Sequence, residues 1–139
     1  MIILHIKDYG DIQLELDHQS APITCQNFEE LVKKGFYDGL TFHRIIKGFM
    51  IQGGDPEGTG CGGSGKEILG EFKANGVNNT ISHKRGVISM ARSQWFNSAS
   101  SQFFICDAND EFLDGQYAAF GHVVQGMEVV DKIASTKTD

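Results

Sequence analysis

The chain has 139 residues, 40% of them hydrophobic and 22% charged, with a formal net charge of −6, which fits one domain, residues 1–139, with a core of its own. Nothing larger than the small basic group at Lys84-Arg85 concentrates positive charge, so neither nucleic acid nor an anionic membrane surface is expected as a partner. No apolar run approaches the ~18 residues of a membrane span, Met1 to Ile6 does not read as a signal peptide, and Cys25, Cys61 and Cys106 are expected to be reduced thiols in a cytoplasmic protein.

In chain order, Ile2 to Ile6 and the alternation of Ile12, Leu14 and Leu16 with Asp11, Gln13 and Glu15 predict a β-hairpin turning at Asp8-Tyr9-Gly10-Asp11. Ala21-Pro22 opens a helix with Ile23, Phe28, Leu31 and Val32 on one face, and Gly35 stops it. From Thr41 the texture becomes short β segments between glycines: Thr41 to Ile46, Phe49 to Gln52, Val87 to Ala91, Ser101 to Cys106 and Ala118 to Val124. Met127 to Ala134 reads as a short closing helix. Many short strands with Gly-rich turns predict a closed sheet or sandwich, mainly β.

The stretch Gly58 to Gly65 matches G-x-G-x-x-G and, with Lys66, most of a P-loop. Both patterns need a following helix whose N-terminus holds phosphate. Glu67-Ile68-Leu69-Gly70 carries no helical stripe, and Glu67 stands where a P-loop has Ser or Thr, so a glycine-rich surface loop is the expectation. The five histidines show no i, i+4 pair and there is no Cys-x-x-Cys, so zinc spacing is missing and no metal or cofactor is expected. No G-x-S-x-G elbow supports a Ser-His-Asp hydrolase.

Chemistry concentrates in FHRIIKGFMIQGGD, residues 42–55. Strand alternation sets Arg44 and His43 on opposite faces, lets Met50 and Gln52 share a face, and does the same for Gln102 and Phe104. Three segments thus each offer a polar head beside apolar neighbours, the composition of a ligand groove. Residue patterning by itself favours a structural salt bridge for Arg44 over a catalytic role.

That segment, Gly70-Glu71-Phe72, RGVISMA at Arg85 to Ala91, SQFFI at Ser101 to Ile105, FLDG at Phe112 to Gly115 and FGHVVQGMEVVDKI at Phe120 to Ile133 together resemble the cyclophilin family in order and spacing. The resemblance covers nearly the whole chain. It implies a closed eight-stranded antiparallel β-barrel capped by two α-helices, and peptidyl-prolyl cis–trans isomerisation of Xaa-Pro bonds in support of protein folding. The alternative is a non-catalytic module that binds proline-containing segments on the same barrel. By resemblance, Arg44 is the catalytic arginine and Gln52 orients it and the substrate carbonyl. Phe49, Met50, Phe104 and Leu113 are the proline pocket, and Gln102, Ala91 and Arg92 cradle the extended peptide with Gly62 on the rim.

Phe112 stands where many members have a tryptophan whose indole N–H serves the cyclosporin-binding surface, so cyclosporin binding is expected to be weakened. Tyr117 replaces a frequent histidine in the groove, and Lys47 replaces the usual proline before Gly48, which is expected to loosen a turn. Trp95 and Phe96 are expected to pack their loop down. Proline-containing peptides and protein clients are the expected partners of a monomer.

Overall fold

The computed structural model describes residues 2–136. Strands β1 (Ile2–Ile6) and β2 (Gly10–Leu16) form the expected hairpin, followed by helix α1 (Pro22–Lys33). The remaining elements are β3 (Arg44–Ile46), β4 (Met50–Gly53), β5 (Val87–Met90), β6 (Phe103–Cys106), β7 (Ala119–Gln125) and helix α2 (Met127–Ala134). One antiparallel sheet contains seven strands in the order β1-β2-β7-β5-β6-β4-β3.

The fold is mainly β with two helices, as the resemblance implies, with one strand fewer than its eight. Segment-by-segment reading of the sequence gives these same seven strands. Between β4 and β5 the glycine-rich chain pairs only once, at the isolated bridge Ile68↔Ala99. Strands β1 and β3 are the sheet's edges, and a cavity of about 260 Å³ lies between β1 and the 37–42 segment.

Alternation gives the sheet two apolar faces. Ile45, Ile51, Ile105, Ile88 and Gly121 face one another in successive strands, and the isoleucines belong to or pack against the main core with Phe28, Phe103 and Phe120. Phe28 anchors α1 there, its ring 5.2 Å from Phe120 and 5.5 Å from Phe103. The helix buries Thr24, Cys25, Asn27, Phe28 and Leu31, whereas Ile23 is largely exposed. Ile23 therefore leaves the predicted face because Thr24 and Asn27 turn inward to make hydrogen bonds, Asn27 Nδ2 donating to Ser100 O at 2.8 Å. Helix α2 buries Val129, Val130, Ile133 and Ala134.

The opposite face of the same strands carries a smaller apolar cluster: Met50, Val87, Phe104, Cys106, Leu113 and Ala119, flanked by Phe49, Ala91 and Tyr117. A 3-10 turn at Glu111–Leu113 and the chain after it cover part of this cluster. What they leave uncovered is the candidate site.

Candidate active site

Four strands set one row of directly opposed residues: Arg44 on β3 faces Gln52 on β4, Gln52 faces Phe104 on β6, and Phe104 faces Ser89 on β5. A two-residue side-chain period keeps this row on the outer face while the isoleucine row beside it enters the core. The row explains how residues far apart in sequence meet around one hollow.

The hollow is a cavity of about 120 Å³ lined by Arg44, Phe49, Met50, Gln52, Ala91, Arg92, Phe104, Leu113 and Tyr117. Met50 and Phe104 are buried, and the Tyr117 ring meets Phe104 edge-on at 5.9 Å. Arg44 is exposed and, among the described residues, has no carboxylate within ion-pair distance and no hydrogen-bond acceptor. The salt bridge that patterning favoured is absent. A guanidinium thus stands at an apolar hollow with its donors unspent.

A groove of about 520 Å³ continues from the hollow, sharing Gln52, Ala91 and Arg92 with it and adding Gly62, Ser98, Ser100 and Gln102 among others. Its floor is a hydrogen-bond relay: Gln52 Nε2 donates to Gln102 Oε1 at 2.8 Å, and Gln102 Nε2 donates to Gly62 O at 2.8 Å. Gln52 therefore spends its amide on Gln102, and only its position in the ladder connects it with Arg44.

Arg92 closes the wall between hollow and groove. Its Nε and Nη2 donate to Gln116 O at 3.0 and 2.7 Å. Its guanidinium lies 4.7 Å from the Tyr117 ring centre, 4.9 Å from Phe72 and 5.3 Å from Phe96, a cation–π cage. Phe96 packs on Phe72 at 5.1 Å, as expected of a loop held down, but Trp95 is 70% exposed and does not share that packing. One of the adjacent aromatics is turned inward to complete the cage, which points its neighbour to solvent.

Phe112 lies outside both cavities, 73% exposed, with its ring 5.7 Å from that of Phe49. It is a rim residue. At the Lys47-Gly48 turn, Gly48 N donates to Asp107 Oδ2 at 2.8 Å.

The glycine-rich loop is built around Asp55. Glu57 N and Gly60 N donate to its carboxylate at 2.8 and 2.6 Å, and Thr59 N at 2.9 Å. A Cβ on Gly62 would collide with Asp55 Oδ1, so the loop can close only on glycine there. Gly54 has φ +89 and its missing Cβ would meet Ser101 O. Burial works to raise the Asp55 carboxyl, but the backbone donors of Glu57, Gly60, Gly62 and Thr59 outweigh it and bring it down to about 2. Its folded pKa lies below the unfolded one, so this tie is fully present above the ordinary carboxylate range and is lost as pH falls toward 2. Amide exchange at Gly60 should stay protected at pH 5 and open between about pH 4 and 2; protection unchanged across that range would refute the assignment.

Of the residues expected from the sequence, Arg44, Phe49, Met50, Gln52, Ala91, Arg92, Phe104, Leu113 and Tyr117 meet at the hollow, and Gly62 and Gln102 meet in the groove. Patterning does not single out His83, Ser89 and Asp114, which sit directly behind Phe104. His83 Nδ1 lies 2.9 Å from Asp114 Oδ1, His83 Nε2 lies 2.9 Å from Ser89 Oγ, and the imidazole stacks on the Phe104 ring at 6.0 Å.

The antiparallel half-barrel carries a small apolar pocket with a free guanidinium at its mouth and a polar groove leading away. The family model described as cyclophilin type peptidyl-prolyl cis-trans isomerase/CLD matches residues 1–139, and the chain belongs to that family. It is 50% identical over 131 residues to peptidyl-prolyl cis-trans isomerase-like 1 of Rhizopus delemar, covering 94% of this chain and 78% of the relative. It is 46% identical over 126 residues to a peptidyl-prolyl cis-trans isomerase of Helicobacter pylori, covering 89% and 74% respectively. Among solved structures, a Cryptosporidium parvum cyclophilin type isomerase crystallised in the presence of the dipeptide Ala-Pro superposes with a TM-score of 0.86 at 37% identity, over 95% of this chain and 84% of that one.

Proposed function

We propose that this cyclophilin-type peptidyl-prolyl isomerase works through Arg44 as transition-state donor, with the hollow at Phe49, Met50, Phe104 and Leu113 receiving the proline ring. The observation that carries this reading is the unpartnered guanidinium beside an apolar pocket. Rotation about the peptide bond faces a barrier of about 18–20 kcal/mol because resonance stiffens the C–N bond. As an Xaa-Pro bond twists, the imide nitrogen becomes pyramidal and regains a lone pair. A donor aimed at it makes a bond that the planar ground state does not offer, so its free energy goes into rate.

The demand is small. Bringing an exchange that takes tens of seconds or more to a turnover of about 10 s⁻¹ needs about 3–4 kcal/mol. A charge-assisted hydrogen bond supplies about 1.5–3 kcal/mol, and an apolar seat that fixes the ring while the preceding carbonyl swings supplies the remainder. Substoichiometric protein should therefore accelerate cis-to-trans relaxation of an Ala-Pro tetrapeptide. Binding of the peptide with no acceleration would replace this reading with the non-catalytic module.

Proline-containing segments of proteins are the partners this groove suits, and the relative crystallised with Ala-Pro supports that choice. The reading is of a monomer acting in the cytoplasm, a compartment that suits three free thiols. Cyclosporin binding should be weak because the Phe112 side chain carries no donor. Phe112→Trp should tighten cyclosporin about five- to tenfold, the value of one neutral hydrogen bond, measured by calorimetry; an unchanged affinity would place the deficit elsewhere on the rim.

A further inference from the structure

Ser89, His83 and Asp114 form a hydroxyl–imidazole–carboxylate chain with both contacts at 2.9 Å. It does not serve nucleophilic attack, because Ser89 and His83 are 0% exposed and no substrate carbonyl can reach the hydroxyl. Its surroundings indicate a different use. The imidazole stacks on Phe104, which is a wall of the proline pocket. The backbone N–H of Asp110 donates to His83 O at 2.7 Å, and Asp114 accepts from His83 N and from Ser82 Oγ, both at 2.6 Å. Asp110 and Asp114 bracket the 3-10 turn that carries Leu113, another wall of the same pocket. One buried ring therefore joins three pieces of the site: β5 through Ser89, β6 through Phe104, and the covering turn through Asp110 and Asp114.

We propose that His83, in its neutral form, is a positioning residue for isomerisation, holding Phe104 and Leu113 at the geometry that seats the proline ring. This deepens the isomerase reading and rests on it. In the neutral tautomer Nδ1–H donates to Asp114 and Nε2 accepts from the Ser89 hydroxyl, and the full burial of the ring favours this uncharged form. Protonation reverses the Ser89 bond, with Nε2–H donating to the hydroxyl oxygen, and puts a fully buried cation beside the Phe104 ring. Burial pulls His83 below the ordinary histidine range, while its hydrogen bond to Asp114 and that carboxylate's charge pull upward.

The charged and titratable groups around it are few. Asp114 faces Nδ1. Asp110, raised by its burial, and Cys106 face each other beside the covering turn. Lys84 and Arg85 follow in the chain, and Arg85 is taken by Asp107 and Asp131 at 3.2 and 2.7 Å. Neither the hollow nor the groove is lined by a histidine, the side-chain type that changes charge between pH 5 and 8. His43, next to Arg44 and close to Gly60 of the groove, and Glu67 in the groove lining are the other acid-range titratable groups at the site, and loss of the acid limb of turnover in His83→Phe separates His83 from both.

The test is the pH profile of kcat/KM for an Ala-Pro tetrapeptide between pH 4.5 and 8, in wild type and four variants. Wild type should lose activity on acidification below the ordinary histidine range, since burial pulls His83 down. His83→Phe, which keeps the stack and loses both hydrogen bonds, should be roughly tenfold slower at pH 7.5, as expected for a displaced pocket wall, and should have no acid limb. Asp114→Asn keeps an acceptor at Nδ1 but removes the charge that favours the imidazolium, so its limb should move to lower pH. Ser89→Ala, a smaller change that secures the test if His83→Phe does not fold, should lower kcat more than it changes KM. Asp110→Asn should leave the limb in place.

A wild-type profile without the limb, or a limb that survives His83→Phe or disappears in Asp110→Asn, would overturn the proposal. Inactivity of wild type at pH 7.5 would refute the isomerase reading itself. The Phe104 ring protons, followed by NMR through the same pH range, then still decide the positioning role. Shifts that track the His83 titration support it, and a Phe104 signal indifferent to that titration overturns it.

Discussion

Arg44→Ala is expected to lower kcat/KM roughly 10- to 150-fold, the rate equivalent of a lost charge-assisted hydrogen bond of about 1.5–3 kcal/mol. The same variant should keep its thermal midpoint, because the side chain is exposed and makes no hydrogen bond or ion pair among the described residues. An exposed substitution away from caps and networks changes stability by about 0.5 kcal/mol or less. Arg44→Lys should recover only part of the loss, since an ammonium on a flexible stem lacks the planar fork that can hold a carbonyl and the imide nitrogen together. The loss should fall on kcat more than on KM, because the bond exists only when the imide is twisted. An Arg44→Ala protein that turns over at the wild-type rate would remove the arginine from the mechanism and leave the pocket alone to account for catalysis.

The absence of a partner for Arg44 is also where residue patterning and structure part most clearly. Alternation told correctly that Met50 shares a face with Gln52, and Gln102 with Phe104. It could not tell which face is covered, because a strand buried on both sides, like Val87–Met90 or Phe103–Cys106, shows no polar face to mark the outside. Patterning alone therefore favours a salt bridge for Arg44, and only the family's motifs point to catalysis. The seven strands were legible because each is a short apolar run between glycines. An eighth came only from the resemblance, and no residue run between β4 and β5 has the alternation to supply it.

The chain behind Phe104 was illegible for a different reason. His83 lies 31 residues from Asp114 and 6 from Ser89, and only Ser89 belongs to a strand, so no single element's period carries the three. A search for metal spacing among the histidines, or for a nucleophile elbow, passes over it because its partners are assembled by the sheet and the covering turn together. Trp95 and Phe96 show the same limit at shorter range: adjacency suggests a common fate, but Phe96 joins the cage around Arg92 and Trp95 stays exposed.

Glu71 carries the second large expectation, and it concerns the fold. Helix α1 begins without a side-chain cap at Ala21 and without an acidic residue in its first turn, which leaves its first N–H groups in need of acceptors. Glu71, 2% exposed, reaches across from a loop about fifty residues on and supplies them. Its carboxylate accepts from Ile23 N at 3.2 Å, from Thr24 N at 2.5 Å and from Thr24 Oγ1 at 2.7 Å. It thus caps the helix from a distance, and its negative charge faces the positive end of the helix dipole. Glu71→Ala removes a cap worth about 1 kcal/mol and strands the buried Thr24 donors at about 1–3 kcal/mol each. The expected loss is about 3–7 kcal/mol, or about 10 °C or more in thermal midpoint. Glu71→Gln keeps an acceptor and the shape while losing the charge, so about half of that loss should return. Thermal and urea unfolding of the two variants measures both values. A Glu71→Ala midpoint within about 2 °C of wild type would mean that α1 finds other acceptors for its first turn, and that its docking depends on Phe28 rather than on the cap.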